Sequence, residues 1–235
     1  MKQDTGYGIG DTGSEAACLS GFGSHPRPAS RILLCIAGLL FASGAFAGAQ
    51  VYTPLSASVR AVLHRSISDQ AAPKQAFTTQ HEADYWMKEM SRRLQKRLPD
   101  TEYRSDFLKT VHYEATRAGL EPELVLGLIE VESNFNKYAV SSAGARGFMQ
   151  VMPFWTREIG TAEHNLFHLR INLRYGCTIL RHYLDIENGD LFRALGRYNG
   201  SLGKSKYPNL VRAAWSKNWS LPRRTADSGN RRTGG

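Results

Sequence analysis

The sequence predicts an all-α chain, and three observations carry that expectation. No segment alternates apolar and polar residues for more than a few positions, so no strand is expected. Apolar residues recur instead at helical spacing in several separate stretches. Those stretches are punctuated where helices stop and start, at Pro99, Gly119, Pro122 and Pro153.

Taken in order, residues 50–78 mix Ser and Ala with little periodicity and read as an extended lead segment, with a short helix near Ser58 to Arg65. A helix from Gln80 to Arg97, rich in Glu, Lys, Arg and Met, is stopped by Pro99. The next runs from Glu102 to Ala118, with Phe107, Leu108, Val111 and Ala115 as its apolar stripe and Gly119 as its C-terminal signal. A third opens at Pro122, whose missing N–H costs nothing in a first turn, and reaches Ser133. A fourth is expected from near Phe148, opening with Met149 and Gln150, and Pro153 kinks or restarts it. A fifth spans Ile171 to Ile186, with Ile171, Tyr175, Ile179 and Tyr183 on one face. A sixth covers Leu191 to Tyr198 and the last covers Asn209 to Lys217. The tail from Pro222 to Gly235 is polar and Arg-rich and is expected to be disordered.

At 235 residues, 42% of them hydrophobic, one domain with flanks is the natural division. Ahead of it stands a secretory pattern. Arg27 and Arg31 precede the apolar run Ile32 to Phe41, and Ala45-Phe46-Ala47 supplies the small-x-small cleavage signal, so the exported form should begin near Gly48. The run is too short for a comfortable membrane span, although an uncleaved anchor is the alternative. Of Cys18, Cys35 and Cys177, only Cys177 survives cleavage, which excludes an intramolecular disulfide; in its apolar helix it reads as a small core residue. The net charge of +9 is unchanged by loss of the leader, whose basic and acidic residues balance. A basic exported protein suits an anionic polymer; export and the lack of a nucleic-acid motif argue against nucleic acid as that polymer.

The third helix carries the chemistry. At about 100° per residue from Glu123, Leu124, Val125, Leu128 and Ile129 gather on one side with Glu132 at their centre, while Glu123 and Glu130 share the other and Leu126 is the exception. A carboxylate on an apolar face is costly as an ion, and burial raises its pKa toward neutrality, which makes a general acid. Glu130 reads as a solvated face residue.

Around it the chain reads Glu132-Ser133, Phe135, Ala139, Ser141, Gly144-Ala145, Gly147-Phe148-Met149-Gln150 and Met152-Pro153. This pattern resembles the lysozyme-like domain of the soluble lytic murein transglycosylases, the SLT domain, whose motif is roughly E-S-x-F-x-x-x-A-x-S-x-x-G-A-x-G-L-M-Q-x-M-P. Phe148 replaces the usual Leu. Farther on, Asn165, Phe167, Asn172 and Gly176 follow the family pattern, whereas the family's Asp-Pro is replaced by His168-Leu169. Tyr198-Asn199 matches the family's Y-N, followed by Gly200-Ser201 in place of Ala-Gly. The resemblance covers Phe107 to Gly203.

The resemblance implies a lysozyme-like all-α fold, and with the residue reading the chain divides into a polar leader with signal segment (1–49), lead segment (50–78), accessory helix (79–104), SLT catalytic domain (105–219) and basic tail (220–235). It implies an exported lytic transglycosylase acting on peptidoglycan glycan strands in the periplasm. Glu132 would be the catalytic acid, Tyr198 would reach toward it, Gln150 and Asn199 would bind sugar, Met149 would line the cleft, and Ser133 would support the acid or a substrate amide. Ordinary glycosidases use two carboxylates, whereas the matched motifs supply one; Asp185, Glu187 and Asp190 fall at a helix end and turn, where capping is the expected role. No cofactor or metal is expected. His164 and His168 have ligand spacing but no third partner at convincing spacing. A monomer is expected, serving wall turnover or a secretion or conjugation machine as partner. The alternatives are a goose-type lysozyme with water as acceptor and a non-enzymatic wall-binding scaffold.

Overall fold

The computed structural model describes residues 50–68 and 79–221. The expected leader, its cleavage site, most of the stretch between the first two helices and the tail from Pro222 lie outside the described residues. Within them the chain is helical, and its only extended pairing is the isolated bridges of Arg146 with Val140 and Val151.

Several helices begin where the sequence provides a start. Helix α1 (Ala57–Ile67) is capped by Ser56, whose hydroxyl accepts from Val59 N–H, and α2 (Gln80–Leu94) by Thr79 in the same way. Asp100 caps α3 (Thr101–Arg117), and Gly119, at φ +68, ends it, with Leu120 N–H reaching back to Ala115 O at 2.9 Å. Pro122 opens α4 (Pro122–Ser133), which ends where Asn134 turns left-handed at φ 46. After a long turn come α5 (Phe154–Ile159), α6 (Leu169–Ile186), α7 (Leu191–Tyr198), capped by Asp190, and α8 (Lys206–Ala214), which passes into a π-helical turn at Trp215–Trp219.

Helix α4 is the axis of the core. Leu124 to Ile129 are all buried, so the helix has no open polar side. Helices α3 and α8 and the π-turn pack around it; α6 backs onto α3 and α7, and α1 lies across α5 and α6. Gly127 permits the closest approach, since a Cβ there would sit 2.8 Å from Trp215 N. Cys177 is buried, and burial pushes its thiol pKa well up.

Two expectations are corrected here. No helix opens at Phe148. Arg146 and Val151 exchange both backbone hydrogen bonds at 3.0 Å, which closes the intervening residues into a turn with Gly147 at φ +74 and Gln150 at φ 48. Pro153 then stands at the start of α5, so it opens a helix instead of kinking one. Nor is Glu130 solvated. Its carboxylate accepts from Arg97 Nη2 (2.7 Å), Asn218 Nδ2 (3.0 Å) and Trp219 Nε1 (2.6 Å), pinning the π-turn to α4. Glu123 on the same side accepts from Trp86 Nε1 at 2.7 Å.

Candidate active site

Glu132, in the last turn of α4, is 2% exposed. Its Oε1 accepts from the hydroxyl of Tyr207, on the first turn of α8, at 2.5 Å. Burial raises its pKa to about 8, against a smaller lowering by the Tyr207 hydrogen bond. Among the described residues no carboxylate charge contributes to that shift. The group is therefore a carboxylic acid at neutral pH, held by one phenol.

Tyr198 lies next to it without bonding to it. Its hydroxyl donates instead to Met149 O at 2.7 Å, and the nearby Glu132 carboxyl adds to the burial that raises the phenol's pKa. The hydroxyl that meets the acid is thus Tyr207's, a residue the sequence reading missed. It lies 75 residues from Glu132 and beyond the matched motifs, and its only sequence signal is an apolar spacing with Val211.

The other expected residues converge on the turn after α4, chiefly as its framework. Ser133 Oγ donates to Phe148 O at 2.8 Å and is buried. Met149 is fully buried against Gly176, where a Cβ would lie 2.3 Å from its sulfur. Asn172, also fully buried, latches the same turn to α6: its Oδ1 accepts from Met149 N–H, and its Nδ2 donates to Arg146 O and Leu166 O, all at 2.8 Å. Gln150 is 2% exposed, and its Nε2 donates to Ala139 O (3.1 Å) and Gly147 O (2.9 Å). Its Oε1 is buried without a hydrogen-bond partner, the kind of atom that calls for a ligand or water. Asn199 caps α7, with its Nδ2 on Ser201 Oγ at 3.0 Å. Gly200 takes φ +69 and Ser201 N–H closes onto Gly196 O at 2.7 Å, so the Gly-Ser replacement keeps a tight turn.

The three carboxylates between α6 and α7 are spent elsewhere. Asp190 caps α7, Asp185 pairs with Arg181, and Glu187 with Arg193 and Arg197. His164 Nδ1 meets Tyr175 Oη at 2.7 Å. Among the described residues no group of three or more His, Cys, Asp or Glu is placed to hold a metal.

This arrangement can do one kind of chemistry well: deliver a proton from a sheltered acid and take it back.

Comparisons with known proteins point to one family. Residues 109–218 match the family model described as Transglycosylase SLT domain. The membrane-bound lytic murein transglycosylase C of Actinobacillus pleuropneumoniae serotype 5b (strain L20) is 57% identical over 47 residues, 20% of this chain and 13% of that protein. The transglycosylase of Enterobacteria phage PRD1 is 31% identical over 99 residues, 42% of this chain and 36% of that protein. The matched stretches thus span well under two thirds of these relatives. A solved structure, an inactive mutant of lytic transglycosylase Slt from Pseudomonas aeruginosa, overlaps at 24% identity and a TM-score of 0.38, over 59% of this chain and 23% of that one.

Proposed function

We propose, from the premise that residues 109–218 are a transglycosylase SLT domain, that this chain cleaves peptidoglycan glycan strands as a lytic transglycosylase. The observation that carries the reading is the state of Glu132: one carboxyl group, 2% exposed, that keeps its proton to about pH 8. Tyr207 donates into Oε1, which leaves Oε2 to carry the proton for transfer.

The reaction follows from a single acid. Protonated Glu132 donates to the glycosidic oxygen between N-acetylmuramic acid and N-acetylglucosamine, and the bond from the muramic anomeric carbon to that oxygen breaks. The substrate's own acetamide helps stabilise the cation that develops. The muramic 6-hydroxyl then attacks the anomeric carbon and returns its proton to the Glu132 carboxylate, closing a 1,6-anhydro ring. No water enters, and the enzyme ends in the state in which it began. A low-dielectric pocket supports both halves, because it keeps the acid neutral before transfer and makes its conjugate base avid for a proton afterwards.

We place the enzyme outside the inner membrane, exported on its leader and processed after Ala47; the observation behind this is the basic, apolar and small-residue order of residues 27–47. Among the described residues no helix is long and apolar enough to cross a membrane.

The test is product analysis with purified sacculi. The muropeptides released should be one water lighter than hydrolysis products, and Glu132→Gln should lower their release by at least about 10²-fold. Reducing ends in place of anhydro ends would convert the reading to a lysozyme-type hydrolase. Retention of more than about a tenth of the activity by Glu132→Gln would remove the acid from its role.

A further inference from the structure

The proposed mechanism leaves Gln50 unused, and its setting is unusual. It begins the described chain, just past the expected cleavage site, in a strap without regular structure that leads to α1. Its neighbours Val51 and Tyr52 are exposed, at 63% and 48%, yet Gln50 is only 4% exposed. Its Oε1 accepts from the indole Nε1–H of Trp155, on α5, at 2.9 Å and from Met152 N–H at 3.4 Å. Both partners are donors, so the amide oxygen faces them and the NH2 group makes the remaining contact. That contact is a hydrogen bond to the hydroxyl of Tyr198, on α7. One side chain thus joins the turn after α4 to α5 and α7. The strap has anchors of its own: the Tyr52 hydroxyl donates to Glu158 Oε1 (3.1 Å), and Arg60 pairs with Glu158 Oε2 (3.1 Å).

The Tyr198 hydroxyl has one proton to give, and gives it to Met149 O at 2.7 Å. With the O–H on that side, the Gln50 N–H takes the other side of the oxygen and bars the O–H from turning there. This bears on the acid. Tyr207 from α8 donates to Glu132, and Tyr198 from α7 stands within its electrostatic reach. Cys177 and Tyr183, from α6, reach Tyr198 in turn. No charged group on α3 or the π-turn contributes to the state of Glu132. Burial raises the pKa of both tyrosines beside the acid, and of Cys177 and Tyr183, so all four are neutral near pH 7. What can differ around Glu132 is therefore the direction of an O–H, and a second hydroxyl turned onto it would favour the carboxylate.

We infer that Gln50 is a positioning residue for the proposed acid: by donating to the Tyr198 hydroxyl it commits that hydroxyl to Met149 O and leaves Tyr207 as the hydroxyl that serves Glu132. The inference rests on the proposed role of Glu132 for its bearing on catalysis. The residue that tunes the site then comes from ahead of α1, outside the residues 109–218 that match the family model. Without Gln50 one side of the phenol oxygen is open, and an ionised Glu132 draws the O–H more strongly than the neutral Met149 carbonyl does.

The test is a carboxyl-carbon NMR titration of Glu132 in protein made with isotope-labelled glutamate, the signal being assigned by its loss in Glu132→Gln. Gln50→Leu and Gln50→Met keep bulk and remove the amide. In either variant Glu132 should titrate about one pH unit lower than in the unmutated protein, the scale of one hydrogen bond to a carboxylate. In a Tyr198→Phe background the same substitutions should move it by less than about a third of that, because no hydroxyl remains to turn. The alkaline limb of sacculus cleavage should move with the titration. A titration unmoved in both Gln50 variants overturns the inference. So does an equal shift in the Tyr198→Phe background, since solvent entry or repacking would then be the cause. Failure of the proposed enzymatic reading would look different: no cleavage of sacculi by the unmutated protein, with the titration shifts intact.

Discussion

The residue that decides most is Glu132, and its ionisation links activity to stability. An acid whose pKa is raised by folding binds its proton more tightly in the native state. That contribution is fully present below the ordinary value of 4.5 and is lost as pH rises through about 8. The native state should therefore weaken steadily across that window. Glu132→Gln has nothing to titrate, so relative to the parent it should gain roughly 2–4 kcal/mol between pH 4.5 and pH 7.5 in chemical denaturation. A constant difference between the two proteins across that range would mean that the buried acid is already ionised. Catalysis should fade on the same limb, above about pH 8. Tyr207→Phe removes the hydrogen bond that lowers the pKa, so the alkaline limb should move upward while the maximal rate falls by about tenfold through lost positioning. A fall in rate without a moved limb would reduce Tyr207 to packing. Glu132 was legible in the sequence because helical geometry sets it on the apolar face and the motif downstream marks that carboxylate out. Tyr207 was not, because no local pattern tells which of the chain's ten tyrosines a fold will bring to a carboxylate.

Among the elements, most helices were legible from apolar spacing and from local punctuation: Pro122 as opener, Gly119 as stop, Asp190 as cap; the caps Ser56, Thr79 and Asp100 emerged only with the structure. The stretch after α4 was not. Met149 and Gln150 are ordinary helix formers, and their turn is imposed from outside by Asn172 on α6 and by the Arg146 pairing. The π-turn escaped detection for the same reason. Its anchor is Glu130, whose place opposite the apolar stripe suggested solvent, until Arg97, Asn218 and Trp219 closed over it. Glu130→Gln should therefore not be silent. It weakens a charged acceptor of three donors and places an amide NH2 among them, so a loss of roughly 1–3 kcal/mol is expected in thermal or chemical melts. Hydrogen exchange should be faster at Trp215–Trp219 first. A melt matching the unmutated protein would return Glu130 to the surface role its helical position suggests.

Across the whole molecule, one buried ionic cluster ties α1, α3 and α6 together. Glu114 on α3, 1% exposed, takes Arg117 at 3.1 Å and, from α6, Arg174 at 3.0 Å and Arg170 at 3.4 Å. Arg117 and Arg174 also donate to the carbonyls of Ser66 and Ile67, which holds the end of α1. Composition could show a surplus of arginine but not that three of them share one carboxylate. Glu114→Gln strands buried guanidinium groups and should cost about 3–5 kcal/mol, with exchange in α1 rising before the rest of the fold. Loss below about 1 kcal/mol would make the cluster a surface pairing in all but position.

The one cysteine among the described residues is 1% exposed, and its thiol is pushed well above its usual pKa. A chain starting at Gly48 thus has no thiol that ordinary maleimide dyes will reach. Any cysteine placed on the surface becomes a unique handle, with no need to engineer the native one away. Val62→Cys, half-exposed on α1, would carry a fluorophore whose emission reads the seating of that helix on α5 and α6 in real time.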